Sequence, residues 1–188
     1  MRTDMIQERN ALSGLEPLAV TDRLSVAAAE DGTRFSLRVR AEDRAKAGDA
    51  LGFALPARIG DLASSGERLA ICLGPDEWFL MAPSGEAGAI EERFAATMDG
   101  AYSLVDVSHR EVGIEVRGPS ATLALSSVCA LDLEAMPVGS ATRTILDKSP
   151  AVLVKLAPDH YRIEVWQSFA GHLWTLLEAV RREIALDI

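Results

Sequence analysis

The chain has 188 residues, enough for one ordinary domain or for two small domains that share a core. Hydrophobic residues make up 48% of the sequence, so a core can form without disulfides or metals. The formal net charge is -9 and no Lys/Arg cluster exceeds a dipeptide, which argues against nucleic acid and anionic membranes as partners. The charged start of the chain lacks a signal-peptide pattern and no apolar run could span a bilayer, so we expect a soluble cytoplasmic protein.

The first 100 residues predict an arm followed by one unit of strands and helices. Residues 1–33 lack a sustained hydrophobic period and should form an arm with at most a short strand or a turn of helix. Such arms are either disordered or held by a partner. In residues 34–100 the pattern indicates, in order, a strand at 35–40, a helix at 42–51 that Gly52 can stop, strands at 67–73 and 78–82 joined by a Pro-Asp turn, and a helix at 86–98.

The remaining residues, 101–188, repeat this order of elements. Their hydrophobic pattern indicates strands at 112–117, 151–156 and 161–166, a helix opened by Gly118-Pro119, and a last helix that Ser168 can cap. As in the first half, a Pro-Asp turn joins the last two strands and a long amphipathic helix follows them.

The likeness between the halves extends to individual residues. The segments LGPDEW at 73–78 and LAPDHY at 156–161 each place an aromatic residue directly after a Pro-Asp turn, and Arg40 and Arg117 each end the first strand of their half. We therefore predict an internal duplication of a β-α-β-β-α unit, with a chance likeness between two common hairpins as the alternative. The expected fold class is α+β, mainly antiparallel, with both halves in one compact unit.

No catalytic, cofactor-binding or metal-ligating residue is predicted in this chain. The sequence has no Gly-x-Gly-x-x-Gly after a strand and no Gly-x-x-x-x-Gly-Lys-Ser/Thr phosphate loop. Its three histidines have no His or Cys partner at metal-ligand spacing. Cys72 and Cys129 lie in apolar stretches without a neighbouring base, which predicts buried, inert thiols.

One short segment contains the residue types of a hydrolase, namely Asp106, Ser108 and His109. In an extended segment Asp106 and Ser108 would point to one face and His109 to the other, whereas a catalytic relay needs all three within hydrogen-bonding reach. We expect Asp106 and Ser108 to satisfy backbone groups at the strand end, while His109 and Arg110 face solvent or a partner. A small hydrolase built on Ser108 and His109 remains the alternative.

Tryptophans and one arginine are the candidates for contacts with a partner. Trp78, Trp166 and Trp174 lie in predicted strands or in the last helix, where core packing is the first interpretation, but tryptophan is also enriched at protein interfaces. Arg143 lies in a strand-like segment and could pair with a buried acid or reach a neighbouring chain. The residues predicted to reach a partner are Trp78, His109, Arg110, Arg143 and Trp166.

Six segments of the chain resemble, in their order, the gamma subunit of heterotetrameric sarcosine oxidase, and the likeness covers about residues 10–182. The segments are 73–78 (LGPDEW), 105–110 (VDVSHR), 116–121 (VRGPSA), 129–133 (CALDL), 141–144 (ATRT) and 165–170 (VWQSFA). That family resembles the folate-binding domain of the aminomethyltransferases. A Lys-Gly-Cys-x-x-Gly-Gln segment, typical of related folate-dependent repair proteins, is absent here.

The resemblance implies a supporting role in a complex that oxidises sarcosine at a flavin. The products would be glycine, hydrogen peroxide, and either formaldehyde or 5,10-methylenetetrahydrofolate. The implied partners are the alpha, beta and delta subunits, and FAD, FMN, NAD and tetrahydrofolate would bind to partner subunits. The alternative is a stand-alone folate-binding protein of one-carbon transfer, which predicts a deep pocket between the halves, lined by aromatic residues and one acidic group.

Overall fold

The computed structural model describes residues 9–20 and 22–186. In these residues the strands are β1 (Leu18–Val20), β2 (Leu24–Ala28), β3 (Gly32–Val39), β4 (Leu62–Ser65), β5 (Arg68–Cys72), β6 (Glu77–Pro83), β7 (Tyr102–Asp106), β8 (Glu111–Arg117), β9 (Ser140–Leu146), β10 (Ser149–Ala157) and β11 (His160–Trp166). The helices are α1 (Arg44–Leu51), α2 (Ala87–Thr97), α3 (Ala121–Ser126) and α4 (Gln167–Ala185).

The strands form two antiparallel sheets, which confirms the predicted α+β class. The N-terminal sheet has the order β4-β5-β6-β3-β7, and the C-terminal sheet has the order β1-β2-β8-β11-β10-β9. The series β3-α1-β4-β5-β6-α2 recurs as β8-α3-β9-β10-β11-α4. Each repeat therefore contains one more strand than the predicted β-α-β-β-α unit, because β4 and β9 precede the hairpin. The short β4, with the sequence LASS, lacks the alternation that would reveal a strand.

Each sheet also contains strands from outside its own repeat, namely β1 and β2 in the C-terminal sheet and β7 in the N-terminal sheet. β2 precedes the first repeat but pairs with β8 in the C-terminal sheet, whereas β7 follows α2 and pairs with β3 in the N-terminal sheet. Because β3 and β8 are counterparts, β2 and β7 occupy equivalent positions. The predicted division into 1–33, 34–100 and 101–188 stays a prediction, and this exchange ties all three parts together.

Three hydrophobic clusters arrange the elements in four layers. One cluster lies between the C-terminal sheet and the helices α3 and α4, and the arm residue Leu12 is buried in it. A second lies between the N-terminal sheet and the helices α1 and α2. The third joins the two sheets, with Ile71 and Phe79 on one side and Val152 and Val154 on the other. The layer order is therefore helix, sheet, sheet, helix.

Helix ends agree only in part with the sequence signals. Gly52 has a left-handed φ of 88° and its N–H bonds back to the carbonyl of Gly48, so it ends α1 as predicted. The cap predicted at Ser168 is wrong, because this residue lies inside α4 and the N-cap position belongs to Trp166. α3 begins at Ala121, two residues after Pro119, because Gly118 and Ser120 first form a turn. Within the described ranges, no helix is both long and apolar enough to cross a membrane.

Candidate partner-binding cleft between the sheets

The layer between the two sheets is apolar at one side and charged at the other. On the charged side, Arg34 of β3 reaches across to Glu164 of β11, with 2.5 Å between Nε and Oε2, and both side chains are buried. The second oxygen of Glu164 accepts a hydrogen bond from Arg162 Nε at 2.6 Å. Alternation along the strands explains this placement, since their other residues face the helices. A buried carboxylate is tolerated here because both oxygens are paired with arginine.

Beside this ion pair a cleft of about 270 Å³ opens between the sheets. Both sheets contribute to its walls, which combine aromatic rings, carboxylates and arginines. The residues that line it include Glu77, Phe79, Arg110, Glu111, Arg143 and Trp166.

Arg110 links the cleft wall to its most exposed aromatic ring. Its Nε and Nη2 donate hydrogen bonds to Oε1 of Glu111 at 3.0 and 2.8 Å. Its guanidinium carbon lies 5.5 Å from the ring centroid of Trp166, which is a cation–π distance. Gln167 fixes the loop beneath, because its backbone N–H donates to the carbonyl of Arg110 and its side chain donates to that of His109. The indole and the guanidinium are therefore held together at the cleft mouth.

Arg143 makes the corresponding link on the opposite side of the cleft. Its Nη2 and Nη1 donate to the two carboxylate oxygens of Glu77 at 2.5 and 3.3 Å, so β9 of one sheet is tied to β6 of the other. Arg38 adds a further hydrogen bond to Glu77 at 3.2 Å. The hydrogen bonds from Arg143 are the largest cause that holds the pKa of Glu77 below its ordinary value.

The pKa of Glu111 is shifted in the opposite direction to that of Glu77. Burial raises the pKa of its carboxyl, and the hydrogen bonds from Arg110 only partly oppose that effect. Glu77 comes from the N-terminal sheet and Glu111 from the C-terminal sheet. The two halves therefore contribute carboxylates with opposite pKa shifts to the same cleft.

An exposed apolar strip crosses the C-terminal sheet at the cleft mouth. Pro150 of β10 pairs with Ile145 of β9, and Trp166 ends β11 next to them, because Ala151 pairs with Val165 one residue before. These three residues share the face that carries Val152 and Glu164 further along the strands. Trp166 is 43% exposed, and Ile145 and Pro150 are also exposed. The N-terminal sheet does not cover this end of its neighbour.

The structure thus brings together three of the five residues predicted to reach a partner, namely Arg110, Arg143 and Trp166. Trp78 also borders the cleft, but its ring is turned into the core of the N-terminal half, is 1% exposed, and donates from Nε1 to the carbonyl of Pro56 at 2.9 Å. His109 is exposed in the turn before Arg110 and lines a separate cleft of about 220 Å³. The interface assignment of these five residues stays a prediction.

Sequence reasoning missed the acidic residues and the strip. Glu77 pairs with an arginine 66 positions further along the chain, a separation that no local pattern reveals. In β8 and β11, charged residues alternate with apolar ones. Antiparallel sheets commonly have one solvated face, so this alternation does not reveal that Glu111 and Glu164 are buried.

The segment of Asp106 and Ser108 has the structural role that the sequence predicted. Oδ1 of Asp106 accepts a hydrogen bond from the backbone N–H of Ser108 at 2.8 Å, and the Ser108 hydroxyl accepts one from the N–H of Arg34 at 2.9 Å. The hydroxyl is therefore engaged with the backbone, which is unfavourable for a nucleophile.

The remaining reactive groups are the two thiols and the side chains that could bind a metal ion. Cys72 and Cys129 are both buried, as predicted, and burial raises the pKa of the Cys72 thiol. In residues 9–20 and 22–186, no group of three or more His, Cys, Asp or Glu side chains is arranged to hold a metal ion.

Comparisons with known proteins first define the class of fold. The glycine cleavage system aminomethyltransferase T from Bartonella henselae is similar with a TM-score of 0.61 and 17% identity, over 81% of this chain and 44% of that chain. A chain of the heterotetrameric sarcosine oxidase from Corynebacterium sp. U-96, solved in complex with pyrrole 2-carboxylate, is similar with a TM-score of 0.86 and 24% identity, over 95% and 96% of the two chains. The two repeats therefore form an aminomethyltransferase-like fold.

The family follows from the sequence match. Residues 39–183 match the sarcosine oxidase, gamma subunit family, and the chain belongs to that family. The sarcosine oxidase subunit gamma of Corynebacterium sp. (strain P-1) is 34% identical over 53% of this chain and 50% of its own length. The subunit gamma of an Arthrobacter species is 36% identical over 43% of this chain and 40% of its own length. The chain spans about half the length of the curated relatives it matches.

Proposed function

We propose that this chain is the non-catalytic gamma subunit of a cytoplasmic heterotetrameric sarcosine oxidase. Its partners would be the alpha, beta and delta subunits. The complex would oxidatively demethylate sarcosine to glycine, releasing hydrogen peroxide and either formaldehyde or 5,10-methylenetetrahydrofolate. The observation that carries this proposal is the family match over residues 39–183. The same fold in a chain of a heterotetrameric sarcosine oxidase supports it.

We assign FAD, FMN, NAD and tetrahydrofolate to the partner subunits. The carboxylates of the inter-sheet cleft are engaged in ion pairs, Glu77 with Arg143 and Glu111 with Arg110, so they serve the chain's own architecture. The hydroxyl of Ser108 is likewise held by the backbone of Arg34. These arrangements favour a supporting subunit over one that performs chemistry.

The contact with a larger subunit is proposed to include the apolar strip of Ile145, Pro150 and Trp166. An exposed tryptophan beside arginines is a typical anchor at the centre of a protein interface. Arg110 already stacks on the Trp166 ring, so little side-chain entropy remains to be lost when a partner covers it. The arginines at the rim, Arg110 and Arg143, would then orient the partner.

Co-production with the larger sarcosine oxidase chains of the same source tests the function. The tagged chain should elute with them at a defined ratio, and the eluate should show a flavin spectrum and sarcosine-dependent peroxide production. Elution of the tagged chain alone, with active larger chains in the unbound fraction, would refute the subunit role.

The alternative function, stand-alone folate binding, gains some support from the inter-sheet cleft with its aromatic wall. Against it, the volume of this cleft, about 270 Å³, lies below the usual range for small-molecule pockets, roughly 300–1,000 Å³. A second cleft between the halves has a volume of about 670 Å³, but none of the described residues that line it is aromatic. The acid expected to hold the pterin is also occupied, because each carboxylate is paired with arginine. Equilibrium dialysis of the isolated chain against tetrahydrofolate decides the matter, since saturable binding at micromolar ligand would favour the alternative.

A further inference from the structure

Gln167, the first residue of α4, joins three segments of the chain. Its backbone N–H donates to the carbonyl of Arg110, and its side-chain Nε2 donates to the carbonyl of His109, both at 2.8 Å. Its Oε1 accepts a hydrogen bond from the backbone N–H of Ala11 at 2.7 Å. One side-chain amide therefore bridges the N-terminal arm and the turn that precedes β8.

The turn that Gln167 holds positions the arginine at the cleft mouth. The side chain of Arg110 is 49% exposed, so packing alone leaves it conformational freedom. Glu111 binds one edge of its guanidinium, and Gln167 fixes the backbone from which the side chain extends. In this position the guanidinium carbon lies 5.5 Å from the ring centroid of Trp166.

The arm holds the N–H of Ala11 in place with a turn and a buried side chain. Ser13 donates from its N–H to the carbonyl of Asn10 at 3.1 Å, so Ala11 and Leu12 occupy the central positions of a β-turn. Leu12 is 1% exposed and lies in the C-terminal core, and it is the one buried side chain among residues 9–17. This single side chain anchors the turn that presents the N–H of Ala11.

The hydrogen bond from Ala11 selects the orientation of the Gln167 amide. A backbone N–H can pair only with the oxygen of a side-chain amide, and a carbonyl can pair only with its NH₂ group. When Ala11 binds Oε1, the Nε2 group is directed to the carbonyl of His109. Binding of the arm and placement of the turn therefore depend on one amide.

We propose that Gln167 is a positioning residue through which the arm holds Arg110 against the ring of Trp166. The tryptophan of the apolar strip would then be ordered for partner binding only while Ala11 is bonded to Gln167. The coupling within the chain rests on these hydrogen bonds, whereas its consequence for binding rests on the proposed subunit role. By linkage, a partner that covers Trp166 would in turn stabilise the bound arm.

Acrylamide quenching of tryptophan fluorescence measures the stacking on Trp166 in the isolated chain. Trp78 and Trp174 are only 1% and 6% exposed, so quenching reports on the ring of Trp166. A ring with a cation on one face is open to the quencher mainly on the other face. Loss of the stacking should therefore raise the quenching rate constant about twofold.

A proline substitution in the arm tests the coupling. Ala11→Pro removes the N–H that binds Gln167, and proline suits the first central position of a turn. Ala11→Ser keeps the N–H and is the matched control, with wild-type quenching expected. Ala11→Pro and Gln167→Ala should each raise quenching, and the double variant should show no more than Gln167→Ala, because both act through the same amide. Wild-type quenching in Ala11→Pro, or additive effects in the double variant, overturns the inference.

A second variant decides if Ala11→Pro does not fold. Gln167→Glu at neutral pH keeps an acceptor for Ala11 but has no donor for the carbonyl of His109. It should raise the quenching of Trp166 as far as Gln167→Ala does. A wild-type value for Gln167→Glu contradicts the positioning role.

Assembly with the larger subunits tests the consequence for binding. The Ala11→Pro chain should bind them about tenfold more weakly than the Ala11→Ser chain, because an ordered tryptophan loses less entropy when it is covered. Equal affinities overturn the link between the arm and the partner. Failure of the wild-type chain to bind refutes the subunit role instead, and the quenching experiment on the isolated chain still decides the coupling.

Discussion

The two halves share an order of elements but differ in how completely the chain itself covers them. In the C-terminal half, α4 has 19 residues, its last turns bury Val180 and Ile184, and the helix contacts β1. In the N-terminal half, α2 has 11 residues, and β7 lies at the sheet edge with both faces largely exposed. Among the described residues, the C-terminal half is therefore closed by its own helix and arm, whereas the edge of the N-terminal half at β7 is exposed.

The largest loss of stability is expected from breaking the buried ion pair between Arg34 and Glu164, which joins the two halves. Glu164→Ala leaves the guanidinium of Arg34 buried without its carboxylate, and should destabilise the protein by about 3–5 kcal/mol. Chemical denaturation measures the change in the free energy of unfolding. Asp76→Ala is the control, because its pair with Arg38 is exposed and should contribute roughly 0.5 kcal/mol or less. A similar small loss for Glu164→Ala would mean that the apolar part of the layer alone holds the halves together.

The sequence predicted individual strands and one helix end well, because each of these depends on neighbouring residues. Alternation at 112–117 and 161–166 indicated β8 and β11, and Gly52 marked the end of α1. The exchange of β2 and β7 between the sheets depends on pairings of distant segments, so no local pattern could reveal it. The cleft was missed for the same reason, since the ion pairs of Arg143 with Glu77 and of Arg34 with Glu164 join residues from both halves.

The next effect concerns the last turns of α4, which the N-terminal half lacks. Ile184→Ala removes buried methyl groups from the C-terminal core and should lower the free energy of unfolding by about 2 kcal/mol or more. Arg182→Ala changes the exposed side of the same turn and should have little effect. If the two variants are equally stable, the last turns do not contribute to closing the C-terminal half, and the contrast between the halves is weaker than the structure indicates.

A smaller effect on stability, but a clear effect on assembly, is expected at the cleft mouth. Trp166→Ala should cost the isolated chain less than Ile184→Ala, because its ring is 43% exposed, yet it should weaken binding to the larger subunits by about 10- to 100-fold. Leu123→Ala on α3 is the control, since this side chain is even more exposed and lies away from the strip. Binding is measured by titration of the labelled chain. Equal losses for both variants would remove the strip from the interface.

The smallest effects on stability are expected from the two cleft carboxylates. The pKa of Glu77 in the N-terminal half and the pKa of Glu111 in the C-terminal half are shifted in opposite directions, so their contributions to stability should change with pH in opposite directions. The folded-state pKa of Glu77 lies below its ordinary value of 4.5, so its contribution to stability is present above pH 4.5 and is lost as the pH falls through the lowered pKa. The pKa of Glu111 is raised above 4.5, so its contribution is present below pH 4.5 and is lost as the pH rises through the raised pKa.

Neutral amide variants separate these two contributions. Glu77→Gln should be less stable than the wild-type chain at pH 7, and the difference should shrink below pH 4.5, where the wild-type carboxyl also becomes neutral. Glu111→Gln should gain stability relative to the wild-type chain as the pH rises, because burial of the charged carboxylate is avoided. Thermal unfolding from pH 3 to pH 8 measures both. Parallel profiles for the two variants would show that burial does not distinguish the carboxylates, and that the two sheets contribute equivalent groups to the cleft.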